Sequence, residues 1–143
     1  MENHDTLQDI EKLVQGAVED AKSFGITLDY SHESIEGVEK VLAAYHEKFK
    51  AGALTDQMAN LIGTGYGCYV GETLIRQLGF GEWTVPKEGV TAGDWVVNIK
   101  GNHCLFPSKA VRRIKNGPED NIITMYQITF NDFSDTKISL KVF

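Results

Sequence analysis

Three prolines in 143 residues leave little material for extended linkers, and the chain has no internal repeat and no low-complexity run. Two cysteines, Cys68 and Cys104, have neither the number nor the spacing of a disulfide framework or a zinc site, so both are expected to be reduced and structural. A long apolar run is also missing. Residues 58–71 carry no charge, but Glu72 and Arg76 stop the stretch short of the roughly 20 apolar residues that a bilayer span needs. Positive charge is scarce as well: 14 Lys and Arg face 20 Asp and Glu, for a net charge of −6. That balance argues against nucleic acid or a membrane surface as a partner. No basic, then apolar, leader opens the chain, since Glu2 and Asp5 stand where a secretory signal would carry Lys or Arg; a cytoplasmic protein is expected. The length suits one domain, residues 1–143, large enough to bury a core without staples.

What is abundant is glycine, concentrated where the chain is also most apolar. In DQMANLIGTGYGCYVGETLIRQLG, residues 56–79, Ala59, Gly63, Gly67 and Gly71 recur at every fourth position. On a helix they form one ridge that lets a neighbouring backbone approach closely. Each helical glycine costs about 0.5–1 kcal/mol relative to Ala, so packing rather than propensity has to hold this helix. Thr55 is its expected N-cap and Gly79 its end. Gly63, Gly65 and Gly67 resemble the start of a dinucleotide fingerprint, but Cys68 occupies the third glycine's place. No predicted strand precedes them and no Gly-Lys-Ser/Thr follows, so neither phosphate-loop context is met and no cofactor is expected.

Two amphipathic helices precede the glycine helix. Leu7, Ile10, Val14, Ala17, Ala21 and Phe24 are spaced three and four apart over residues 5–24, with Asp5 or Thr6 as N-cap and Gly25 beyond the end. From Ser31, Ile35, Val38, Leu42, Tyr45 and Phe49 repeat the pattern until Gly52. After Gly81 the period changes to two. Trp83 with Val85, and Trp95 with Val97 and Ile99, predict strands; Gly101-Asn102 predicts a hairpin corner with a return strand Cys104–Phe106. A short basic helix from Pro107 or Ser108 to Gly117 follows, with Lys109, Arg112, Arg113 and Lys115. Residues 119–132 combine helical spacing with strand-forming residues and are assigned to a helix, while Ile138, Leu140 and Val142 alternate as a final strand would. The class is α+β: antiparallel amphipathic helices and a central Gly-rich helix packed beside a small antiparallel sheet.

The acidic charge is uneven. Residues 1–60 hold 12 acids and 5 bases, a net −7, whereas 61–143 hold 8 and 9, a net +1. Glu33, Glu36, Glu39 and Glu47 are placed away from the apolar stripe of the second helix, as a surface for a basic protein partner. Acids in the first turns, Glu33 and Glu36, also favour the positive end of the helix dipole. Glu72 is the most unusual polar residue, and Arg76 four positions on suits a structural ion pair. An alternative ligand or hydrolytic site would combine Glu72 with His103, Arg112 and Arg113. His4, His32 and His46 have no second ligand at metal spacing, so no metal site is expected.

Gly67-Cys-Tyr-Val-Gly71-Glu72-Thr-Leu74, Gly81-Glu-Trp83 and a basic helix ending at Gly117 resemble a domain-of-unknown-function family of small bacterial proteins. The likeness covers residues 27 to 130. It implies an α+β domain in which a Gly-Glu helix leads into a Trp strand. Some similar small acidic bacterial proteins look like immunity partners of secreted toxins, and no catalytic residue comes with the resemblance. The leading expectation is therefore a non-enzymatic protein-binding domain, with a cationic toxin as the implied partner. A small-ligand protein or hydrolase is the alternative, and a subunit that dimerises through its apolar helices is a third reading.

Overall fold

The computed structural model describes residues 3–89 and 93–142, with side chains from residue 7 onward. Helix α1 (Asn3–Lys22) begins before the expected caps, Asp5 and Thr6, whose side chains, like that of His4, lie outside the described residues. Helix α2 (Ser34–Lys50) starts after a lead-in in which the Ser31 hydroxyl accepts from Ser34 N at 3.1 Å. Helix α3 (Asp56–Leu78) has the expected ends: Thr55 accepts from Met58 N, and Gly79 adopts the left-handed conformation at φ +83°.

The three strands β1 (Glu82–Thr84), β2 (Val96–Ile99) and β3 (Asn102–Cys104) form an antiparallel sheet in that order. Ile99 pairs with Asn102, so the corner is Lys100-Gly101, not Gly101-Asn102. Both corner residues have positive φ, 51° and 89°, the twist that a two-residue hairpin requires. The return strand is shifted accordingly. It ends at Cys104, and Phe106 already belongs to helix α4 (Phe106–Asn116). A 3-10 turn at Pro118–Asp120 leads to helix α5 (Ile122–Phe133), whose cap is Asn121, bonding the amides of Ile123 and Thr124.

The glycine ridge of α3 meets α4. A Cβ at Gly63 would lie 2.7 Å from Val111 Cα, and one at Gly67 would lie 2.5 Å from the Phe106 carbonyl and closer still to Pro107 Cα. Backbone cannot yield there, so glycine is what allows α4 to lie against α3. The ridge then passes under the sheet, where Gly71 faces the Trp83 ring and Val97. Helices α1 and α2 cover other faces of α3, and α5 packs on α2, α3 and α4. Tyr66, Tyr69, Leu74, Ile35, Leu42, Phe106, Ile114 and Tyr126 are fully buried in the core they share.

The tail does not add a strand among the described residues. Its backbone is taken by side chains of α5 and α2: Asn131 both donates to Ile138 O (3.0 Å) and accepts from Ile138 N (2.8 Å). Gln127 accepts from Leu140 N, and Glu36 accepts from Lys141 N at 3.0 Å. Ile138 and Leu140 pack on the core, so the alternation has a packing cause without a ladder.

Candidate functional site

Two of the seven acid and arginine positions assigned to candidate sites from sequence are in the interior. Glu39 is 1 % exposed and Arg113 3 %, and they pair at 2.7 Å. Glu39 is thus not on the outer face of α2. Helix α4 packs on that side of α2 and supplies the countercharge, and Glu39 also accepts from Ile122 N at the start of α5 (3.2 Å). Arg113 is correspondingly no part of an exposed basic patch. The other basic residues of α4 are partnered too: Lys109 with Asp120 (3.1 Å) and Lys115 with Asp56 (2.7 Å). Asn116, then Lys109, hold the Asp120 carboxyl below the usual carboxylate range by hydrogen bonding. Arg112 donates to Ser108 Oγ at 2.7 Å and lines a groove with Trp95 and Lys115. Of the other carboxylates assigned to the second helix, Glu33, at the position just before α2, and Glu47 are exposed, Glu47 pairing Lys50 at 3.2 Å, and Glu36 holds the tail. His103 is exposed on β3, opposite Asn98.

Glu72 belongs to a different place, a cleft of about 310 Å³ between α1, α3 and β1. Leu7, Ile10 and Val14 supply an apolar wall and Glu11 an acidic rim; Trp83, Arg76 and Tyr30 complete it. The expected ion pair forms, Arg76 Nε lying 3.4 Å from Glu72 Oε2. The Trp83 indole N–H donates to the other carboxylate oxygen at 3.2 Å. Arg76 stacks on the Tyr30 ring, 3.7 Å from its centroid, a contact that fixes a guanidinium's plane. The site residues of the alternative ligand reading are therefore not brought together: Glu72 lines this cleft, Arg112 the other groove, and Arg113 the core.

Tyr30 is the element that sequence reading passed over as part of an extended connector. Its φ is +65°, a strained conformation for a bulky residue. Three bonds hold the strain: Tyr30 N donates to the Tyr69 hydroxyl (2.8 Å), which in turn contacts Ser34 Oγ (2.6 Å), and Gln77 donates to Tyr30 O (2.7 Å). No family model matches the chain, and no curated protein or solved structure matches it.

Away from the cleft, Asp20 of α1 ties three helices, accepting on one oxygen from Tyr45 of α2 (2.8 Å) and Tyr66 of α3 (2.6 Å). Burial, reinforced by the Asp20 charge, pushes both phenols far up, so they stay neutral donors. Burial likewise pushes the Cys68 thiol up to about 12 and raises Cys104; both cysteines are free, and such thiols are poor nucleophiles. Among the described residues, no three His, Cys, Asp or Glu side chains gather as a metal ion would need, and no helix is long and apolar enough to cross a membrane.

Proposed function

We propose that the chain is a protein-recognition domain that takes a basic side chain of its partner into the cleft between α1, α3 and β1. The observation that carries this reading is Tyr30. A left-handed tyrosine costs on the order of 1–3 kcal/mol, and what the strain produces is a ring that fixes Arg76, and through it Glu72, at the wall of an open cleft. A partner lysine fits the chemistry. Its stem lies along Leu7, Ile10 and Val14, and its ammonium reaches Glu11 and Glu72, each oxygen of which accepts more than one hydrogen bond. The acidic first half of the chain steers a cationic protein toward that face. The resemblance to small immunity-like bacterial proteins supports a toxin as that partner, inhibited by being covered.

Display of a randomised peptide library on the purified protein tests the reading. Enriched peptides should carry Lys or Arg flanked by apolar residues, and a variant with Glu11→Gln and Glu72→Gln should lose the enrichment. Selection of acidic peptides instead, lost on Arg76→Gln, would move the reading to an anionic ligand.

A further inference from the structure

On the other side of α1 lies a second groove, about 280 Å³, formed with the first half of α3. Its lining is mainly Leu13, Ala17, Ile62 and Tyr66, and Leu61 at its edge is 60 % exposed. Met58, one turn before Leu61, is 47 % exposed. In the middle of the α1 rim is Gly16, a helix-interior glycine that packing among the described residues does not require: none of their atoms outside its own turn of helix lies within 4 Å of where its Cβ would be. Glycine weakens a helix there relative to Ala, and a close approach from outside the chain would account for it.

We infer that this face is a two-fold homodimer contact in which α1 crosses α1 of a second copy, antiparallel, at Gly16. The charges select a second copy over another partner. Lys12, Gly16 and Asp20 follow at four-residue intervals along the same groove, one basic, one small, one acidic. A two-fold axis at Gly16 sets each Lys12 against the partner copy's Asp20, giving two ion pairs from one contact. A foreign basic or acidic surface meets like charge at one end of the rim, whereas the chain's own surface is matched at both. Asp20 accepts from both phenols on one carboxylate oxygen, which leaves the other oxygen for a contact in this role. Glycine at the crossing lets the helix backbones approach closely, and Leu61 of each copy is carried over the other's groove.

Sedimentation velocity over a range of concentration, with oxidative cross-linking, decides the matter. The parent should show a concentration-dependent dimer. Gly16→Cys should form a disulfide-linked dimer much faster than Glu47→Cys on the exposed face of α2, since cysteines at a two-fold axis come within disulfide reach; the native thiols are buried. Lys12→Glu should weaken the dimer on the order of tenfold by setting like charges opposite Asp20, and Leu61→Asp should abolish it with the circular dichroism of the monomer unchanged. A parent that stays monomeric near 1 mM, or a Gly16→Cys protein that cross-links no faster than Glu47→Cys, would overturn the inference. Neither result bears on the Glu72 cleft, which lies across α1.

Discussion

Glu39 and Arg113 are bonded at 2.7 Å in the interior, where they join α2 to α4 and, through the Ile122 amide, to the start of α5. A buried pair is strong only as a pair, because each member alone is an uncompensated charge. Arg113→Met should therefore cost about 3–5 kcal/mol. Combining it with Glu39→Gln should restore much of the loss, since the buried charge that Arg113→Met leaves unpaired is removed while Gln still accepts from Ile122 N. Urea denaturation of the parent and the two variants measures this. A single Arg113→Met variant within about 1 kcal/mol of the parent would refute the role given to the pair.

The contact between α3 and α4 makes Gly67 a sharper probe than its neighbours. Gly67→Ala gains helix propensity yet drives a methyl group into the Phe106-Pro107 backbone, so a net loss of about 1–3 kcal/mol is expected. Gly16→Ala, whose methyl group meets nothing among the described residues, should instead stabilise dilute protein by up to about 1 kcal/mol. Thermal melts of the two variants should move in opposite directions.

The helices were legible because their cause is local. The spacing of Ile35, Val38, Leu42 and Tyr45, the Thr55 cap and the Gly79 stop all act within a few residues, and the glycine ridge announced a close neighbour. Its identity was not legible: α4 reads as a polar, basic segment, and only in three dimensions do Arg113 and Lys115 find acids from distant parts of the chain, Glu39 and Asp56. Glu39 was misplaced for the same reason, since periodicity reports the side facing one neighbour and α2 has several. In the candidate site, Glu72 and Arg76 stood out by their spacing. Tyr30 did not, because a strained φ imposed by Tyr69 and Gln77 leaves no local pattern.

His32 supplies a pH dependence. Its ring is packed 4.5 Å from Phe130, centroid to centroid, with Nδ1 2.8 Å from the Tyr126 hydroxyl. Burial lowers its pKa, against a smaller opposing effect of Glu33. As pH falls below about 6.5 the unfolded chain binds the proton first. Stability is therefore complete above that pH and declines as pH falls toward the folded pKa, levelling once both states are protonated. The melting temperature of the parent should drop between pH 7 and 5 more than that of His32→Gln. Parallel curves for the two would assign the drop to other groups.

The tail offers a last test, one that separates local from global stability. Asn131 reads residue 138 in both directions, as the edge of a strand would, and Gln127 one turn earlier on α5 takes the amide of Leu140. Two hydrogen bonds, each worth about 0.5–1.5 kcal/mol net, hold Ile138; Ile138 and Leu140 pack against the core from outside and are not among its buried residues. Asn131→Ala should therefore free residues 137–142 while leaving the global urea midpoint nearly unchanged. Trypsin, which cuts after Lys137 and Lys141, should clip the tail several-fold faster in this variant. Asn131→Asp, which keeps the acceptor for Ile138 N and loses the donor, should fall between the two. Equal cleavage of Asn131→Ala and parent would mean that the packing of Ile138 and Leu140, and not the amide, holds the segment.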